Sequence, residues 1–368
     1  MNDPFLNRPL SVMLDFARFG SALLVVLGHS VQLGLYGGHF PFGVRMQHYC
    51  VTVFFVLSGL VISSSVLDGR SDLRRYAIAR VSRILPVAVP ALLFGLFAAY
   101  VLAGPDRVPI DNSPAEAFAV AERFLPPLAF VSAWPGMPAP VWNPPYWSLC
   151  YEVWYYVIFA LAFFLRGWGR YVATALACFT AGASILLLMP VWFVGVALTH
   201  GGLVRRIPLA AAPFVLVVCG WLMSRLFAVD MTVLIPFLKS WWPFDLKWSG
   251  WAVADFAMAL IMALAVMAIR PLAATFEPQV MRLRGLAQGL AGFSFTLYLF
   301  HWPLIQLMLS WGLGGTRSAV VFIALLLSVV AACAAISVLT ERQSPRLRRW
   351  IEARFPPRGS LPGGALPA

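Results

Sequence analysis

The chain has 368 residues, 61% hydrophobic and only 11% charged, with a mean hydropathy of +0.81. Soluble domains carry roughly 25% charged residues, so a water-soluble globular fold is excluded and an integral membrane protein is expected. The net charge of +12 would otherwise suggest a nucleic-acid partner, but the arginines stand in short segments between apolar runs, the distribution that orients spans in a bilayer; no nucleic acid is expected.

At about 20 residues per crossing, the length suits an all-α integral membrane bundle of about ten transmembrane helices. It would form a single domain over 1–340, followed by a cytoplasmic tail over 341–368 that is basic and then rich in Pro and Gly. Apolar runs place spans near 14–36, 47–67, 78–103, 146–166, 170–189, 190–204, 209–228, 248–269, 286–312 and 317–340. The pair around Pro190 reads either as two short spans or as one kinked segment. The amino terminus is too polar for a cleaved leader, so the first span is expected to stay as an anchor.

With the amino terminus inside, about 20 basic residues fall on the cytoplasmic side, among them Arg70, Arg74, Arg75, Arg205 and Arg206. About six, including Arg45, Arg107, Lys239 and Lys247, fall outside. That asymmetry puts both termini in the cytoplasm. Two outer segments are longer than turns. Residues 104–145 carry Asp106, Asp111, Glu116 and Glu122, and 229–247 carries Trp241 and Trp242, read as an interfacial belt or a sugar-stacking platform. The five cysteines are scattered, with no CxxC, and suit apolar packing.

Ionisable groups inside these spans are costly and therefore informative. In LDFARFGSALLVVLGH, Arg18 and His29 are eleven residues apart, close to three helical turns, so both lie on one face with a rise of about 16 Å between them. Asp15 is placed to pair with Arg18 at i,i+3. Ser58-Gly59 in the second span suits close helix packing. Arg80 and Arg83 share one face at the cytoplasmic mouth of the third span, where an anion site and a topology signal both account for them. Glu152 is a lone acid near the outer end of the fourth span, after Trp147. His301 lies mid-span in the ninth, one turn after Tyr298 and just before Pro303. No partner is apparent for His39, His48 or His200, and the five histidines show no metal-like spacing.

Five stretches together resemble the membrane acyltransferase 3 family. They are Arg18 followed after ten residues by His29, then FFVLSGLVIS, Arg80-Val81-Ser82-Arg83 before Pro86, YWSLCYEVWYY, and FSFTLYLFHWPL, in the family's order over about residues 11–310. Ala17 and Phe19-Gly20 surround Arg18 where the family often has Leu-Arg-Gly, which displaces no reactive group. The resemblance implies an inner-membrane enzyme that takes an acetyl or short acyl group from cytoplasmic acetyl-CoA or another acyl-CoA. The acceptor would be a hydroxyl on an extracytoplasmic carbohydrate, glycolipid or glycosylated small molecule. It makes Arg18, Arg80 and Arg83 the donor-head ligands and His29 the principal catalytic group, as general base or as carrier of an acyl-imidazole. Glu152 and His301 join it as catalytic candidates, with Glu152, Tyr298 and Trp147 toward the acceptor and no metal. The competing class is a proton-coupled transporter using His29, Glu152 and His301 as a relay, against which the chain shows no inverted repeat.

Overall fold

A computed structural model describes residues 5–40, 45–67, 71–102, 114–200, 207–242 and 246–356. Arg70, Asp106, Arg107, Asp111, Arg205, Arg206 and the tail beyond 356 lie outside the described residues, as do the side chains of Arg45 and Glu116. Among the described residues the chain is all-helical. The helices in order are α1 Arg8–Gln32, α2 Arg45–Leu67, α3 Leu73–Phe97, α4 Pro114–Leu128, α5 Trp147–Phe164, α6 Gly167–Ala197 and α7 Ala212–Val229, then α8 Ile235–Trp241, α9 Ala252–Thr275, α10 Glu277–Arg282, α11 Arg284–Ala291, α12 Ser294–Ser310, α13 Ala319–Leu339 and α14 Ser344–Arg354.

Local chemistry sets several of these boundaries. Asn7 caps α1 by accepting from the Leu10 N–H, with Pro9 in the first turn, where its missing N–H costs nothing. Asp72 does the same for α3 through Arg75 N. Among the described residues, eight helices are long and apolar enough to cross a membrane. Phe179, Phe214, Val217, Val320 and Leu339, on α6, α7 and α13, are each at least 70% exposed; such apolar surface belongs against lipid rather than water.

The expected boundaries shift in three places. Of the two readings around Pro190, the described residues match the single kinked segment: α6 runs through Pro190 and bends instead at Gly182, whose φ of 82° and ψ of 167° suit only a residue without a Cβ. The run at 286–312 is split before its middle, α11 ending at Ala291 and α12 starting at Ser294. Of the expected outer segment 229–247, residues 230–241 are helical, because α7 continues through one wide turn into α8.

The inner layer is built on α2, which packs along α1 and α6. A Cβ on Gly59 would strike the Trp192 carbonyl, and one on Gly195 the Val56 carbonyl. Two glycines facing each other thus let α2 and α6 touch backbone to backbone, the small-residue packing expected of Ser58-Gly59. The cysteines are free, and Cys50, Cys150, Cys219 and Cys333 are buried in apolar surroundings.

The helix α12 is held from outside itself. Pro303 has no N–H to offer the carbonyl of Leu299 four residues earlier, and Asn143 Nδ2 donates to that carbonyl at 2.9 Å. Tyr298 in turn donates its hydroxyl to the Pro145 carbonyl at 3.0 Å. Near the start of the helix, Glu341 accepts from both the N–H and the hydroxyl of Thr296, at 3.0 and 3.1 Å. These ties fix the depth of His301 within the bundle.

Candidate active site

Two cavities meet at the centre. The first is narrow, about 60 Å³, and is lined by Arg18, Arg80, Arg83, Glu152 and Tyr298 together with Ser58 and Tyr156. Residues from α1, α2, α3, α5 and α12 that the sequence separates by up to 280 positions are therefore neighbours here. The second is roomier, about 400 Å³, within the range that holds a small-molecule ligand. His29, His48, Gln32, Gln47, Trp147, Trp248, Trp251 and Trp302 line it. Val51 and Tyr298 belong to both linings and form the partition between them.

In the first cavity the three guanidiniums are half-buried and only lightly engaged. Arg18 reaches Asp15 at 3.5 Å, the expected i,i+3 pair at a distance too long for a strong bond. Arg80 lies over the rings of Tyr76 and Tyr156, at 5.8 and 5.6 Å, and its buried Nε has no hydrogen-bond partner among the described residues. A group of cations with unspent donors around a small space suits a multiply charged oxyanion, which guanidinium grips through paired N–H groups.

A directed chain of hydrogen bonds ends on Glu152. The Trp192 Nε1–H donates to Ser58 Oγ at 3.2 Å. The hydroxyls of Ser58 and Tyr156 are 3.1 Å apart, and Tyr156 donates to Glu152 Oε1 at 2.5 Å. Because Tyr156 spends its proton on the carboxylate and Ser58 accepts from Trp192, Ser58 must donate to Tyr156. The sequence pointed to Ser58 only for packing; the structure adds this polar role. Glu152 lies near the start of α5, as expected, and lines the arginine cavity and not the cavity of His29.

In the second cavity the ring planes of His29 and His301 are 2° apart, and His29 Nδ1 is 2.9 Å from His301 Nε2. The tautomers follow from one further contact. His301 Nδ1 is 3.1 Å from the Leu297 carbonyl; a carbonyl only accepts, so that nitrogen carries the hydrogen. His301 Nε2 is then the acceptor, His29 Nδ1–H the donor, and His29 Nε2 is left with its lone pair. Trp302 meets the His29 ring edge-on at 4.8 Å. His301 is completely buried and serves the site through His29.

Tyr298 spends its hydroxyl on Pro145 and lies 2.8 Å from Ser148 Oγ, so it contributes its ring to the partition. Trp147 stacks on Trp248 at 5.3 Å and 17°. Of the two readings of Trp241, its 74% exposure suits the interfacial belt, and the aromatic wall of the cavity is built by Trp147, Trp248, Trp251 and Trp302.

One pair escaped the sequence reading. His48, in α2, bonds through Nε2 to Asp255 Oδ2 of α9 at 3.0 Å, and Thr52 holds the other carboxylate oxygen at 2.8 Å. The signal was present: Asp255 is an acid within the span 248–269, as informative by the same rule as Glu152.

Among the described residues the chain is thus an all-helical, multi-pass membrane bundle in which a guanidinium cavity stands beside a histidine cavity. The family model described as an acyltransferase domain matches residues 12–338. The chain belongs to this family, the membrane acyltransferase 3 family that the five stretches resemble, and is an acyltransferase. Comparison with curated proteins and with solved structures gives no match.

Proposed function

We propose that this acyltransferase moves an acetyl or other short acyl group from cytoplasmic acyl-CoA to a hydroxyl of an extracytoplasmic glycan, glycolipid or glycosylated small molecule, from within the inner membrane. The observation that carries this reading is the shared partition. Three arginines suited to the phosphates of coenzyme A stand on one side of Val51 and Tyr298, and a histidine with an available lone pair stands on the other. The rise of about 16 Å from Arg18 to His29 along α1 is a distance that the long pantetheine arm of the donor can cover.

His29 Nε2 attacks the thioester carbonyl. A C–N bond forms, the C–S bond breaks, and the thiolate leaves with coenzyme A and takes a proton from water. The positive charge gained by the ring is shared with His301 through the Nδ1–H bond. An acceptor hydroxyl then takes the acyl group from the imidazole. The flat faces of Trp147, Trp248, Trp251 and Trp302 suit the C–H faces of a sugar ring.

The test is transfer of labelled acetyl from acetyl-CoA to cell-surface glycan by the reconstituted protein. His29→Ala is expected to abolish transfer. Arg80→Ala is expected to raise the donor KM by about 10- to 100-fold, the equivalent of one or two charge-assisted hydrogen bonds. Normal transfer by His29→Ala refutes the assignment.

A further inference from the structure

Among the described residues His29 has one imidazole partner and no carboxylate; the other histidine in its cavity is paired in the opposite way. His48 is 9% exposed and Asp255 2%, and both carboxylate oxygens of Asp255 are occupied, one by His48 and one by Thr52. A carboxylate placed this deep is costly, and a packing role would be met by any small apolar residue. Asp255 accepts from Nε2–H of His48, which fixes the tautomer and leaves Nδ1 as the ring's acceptor; that nitrogen has no hydrogen-bond partner among the described residues. The ring is wedged among Trp147, Trp248 and Trp251, at 6.0, 6.4 and 4.6 Å. Beside it, Gln47 donates to Gln32 at 2.9 Å, while its buried Oε1 lacks a partner. Gln47 Oε1 itself is packed against Gly28 of α1, so the group that the aromatic wall offers to a hydroxylic ligand is the free nitrogen of His48.

We propose that His48, oriented by Asp255, is the general base for the acceptor hydroxyl, so that two histidines divide the reaction: His29 takes the acyl group from the donor and His48 activates the acceptor. This rests on the acyl transfer proposed above. In the second step the acceptor oxygen forms a bond to the acyl carbon. The C–N bond to His29 Nε2 breaks with its electron pair returning to that nitrogen, and the hydroxyl proton passes to His48 Nδ1 and from there to water. Asp255 compensates the charge that the ring holds meanwhile, the part a buried carboxylate takes beside a catalytic histidine. Asp255 is thus a positioning residue and His48 the catalytic one.

The test separates the two half-reactions in the full-length protein reconstituted in vesicles. Exchange of label between acetyl-CoA and free coenzyme A reads donor chemistry alone; transfer to glycan reads both steps. His48→Gln and Asp255→Asn are expected to lose transfer by about 10²- to 10⁴-fold, the usual worth of a general base, while exchange stays within threefold of the wild type. Retained transfer in both variants overturns the proposal. Parallel loss of exchange and transfer also overturns it, because that is the result of a structural role. A wild-type protein that shows neither reaction refutes the function itself, and is recognised before any variant is compared.

Discussion

The tautomer of His29 depends on a single contact, and that contact can be removed without touching the arginine cavity. In His301→Leu the buried Nδ1–H of His29 loses its acceptor, which lies at 2.9 Å in the native protein. Leaving such a donor unpaired costs about 1–3 kcal/mol. The ring avoids that cost by moving its hydrogen to Nε2, where the open cavity accepts it, and the reacting nitrogen then becomes a donor. At about 1.4 kcal/mol per tenfold, the reactive tautomer falls by roughly 5- to 150-fold, and kcat falls with it. The donor KM stays near its native value, since none of Arg18, Arg80 or Arg83 loses a contact. His301→Gln differs in kind: its side-chain carbonyl accepts from Nδ1–H, so kcat should fall less than tenfold. Steady-state kinetics on vesicles, varying acetyl-CoA at saturating acceptor, distinguishes the two. Equal loss of kcat in the Leu and Gln variants, or a change confined to KM, would show that His301 does not act by fixing the tautomer.

Other expectations concern the scaffold and the acceptor wall. Gly59→Ala places a methyl against the Trp192 carbonyl and should cost about 1–3 kcal/mol, whereas Gly220→Ala, with no atom within 4 Å, should leave thermal stability in detergent unchanged or slightly raised. Asn143→Ala strips the Leu299 carbonyl of its donor, at a cost of about 1 kcal/mol or more. In a Pro303→Ala background the restored backbone N–H serves that carbonyl, so a double-mutant cycle on melting temperatures should be non-additive; strict additivity would contradict the role given to Asn143. Trp248→Ala should raise the acceptor KM several-fold with the donor KM unchanged, measured with both substrates varied.

The line from Arg18 to His29 was legible because helical geometry alone puts residues eleven apart on one face, and because a bilayer penalises both groups. The same penalty marked Arg80, Arg83 and Glu152, and they do gather around one space. It could not say which space, since the depth of Glu152 depends on how α5 is seated against α3 and α12. His48 and Asp255 were harder to find. Their partnership spans 207 positions, and His48 sits so near the start of α2 that it reads as part of the preceding loop. The bend in α6 was misplaced because proline is the conspicuous residue in that run. A helix tolerates Pro190 for the loss of one hydrogen bond, whereas the left-handed backbone at Gly182 leaves no mark in sequence beyond a common glycine. Trp241 and Trp248 are equally plain as letters; only the fold turns one outward and the other onto Trp147.

The partition formed by Val51 and Tyr298 has a consequence for the cell as well as for the reaction. Acyl transfer across a bilayer, as proposed above, must not let charge leak, and Val51 and Tyr298 are the two residues that both cavities share. Tyr298→Ala would join them into a single water-filled path. On that proposal such a variant should depolarise energised vesicles, because the ring that the donor arm must pass is also the ring that holds the membrane potential.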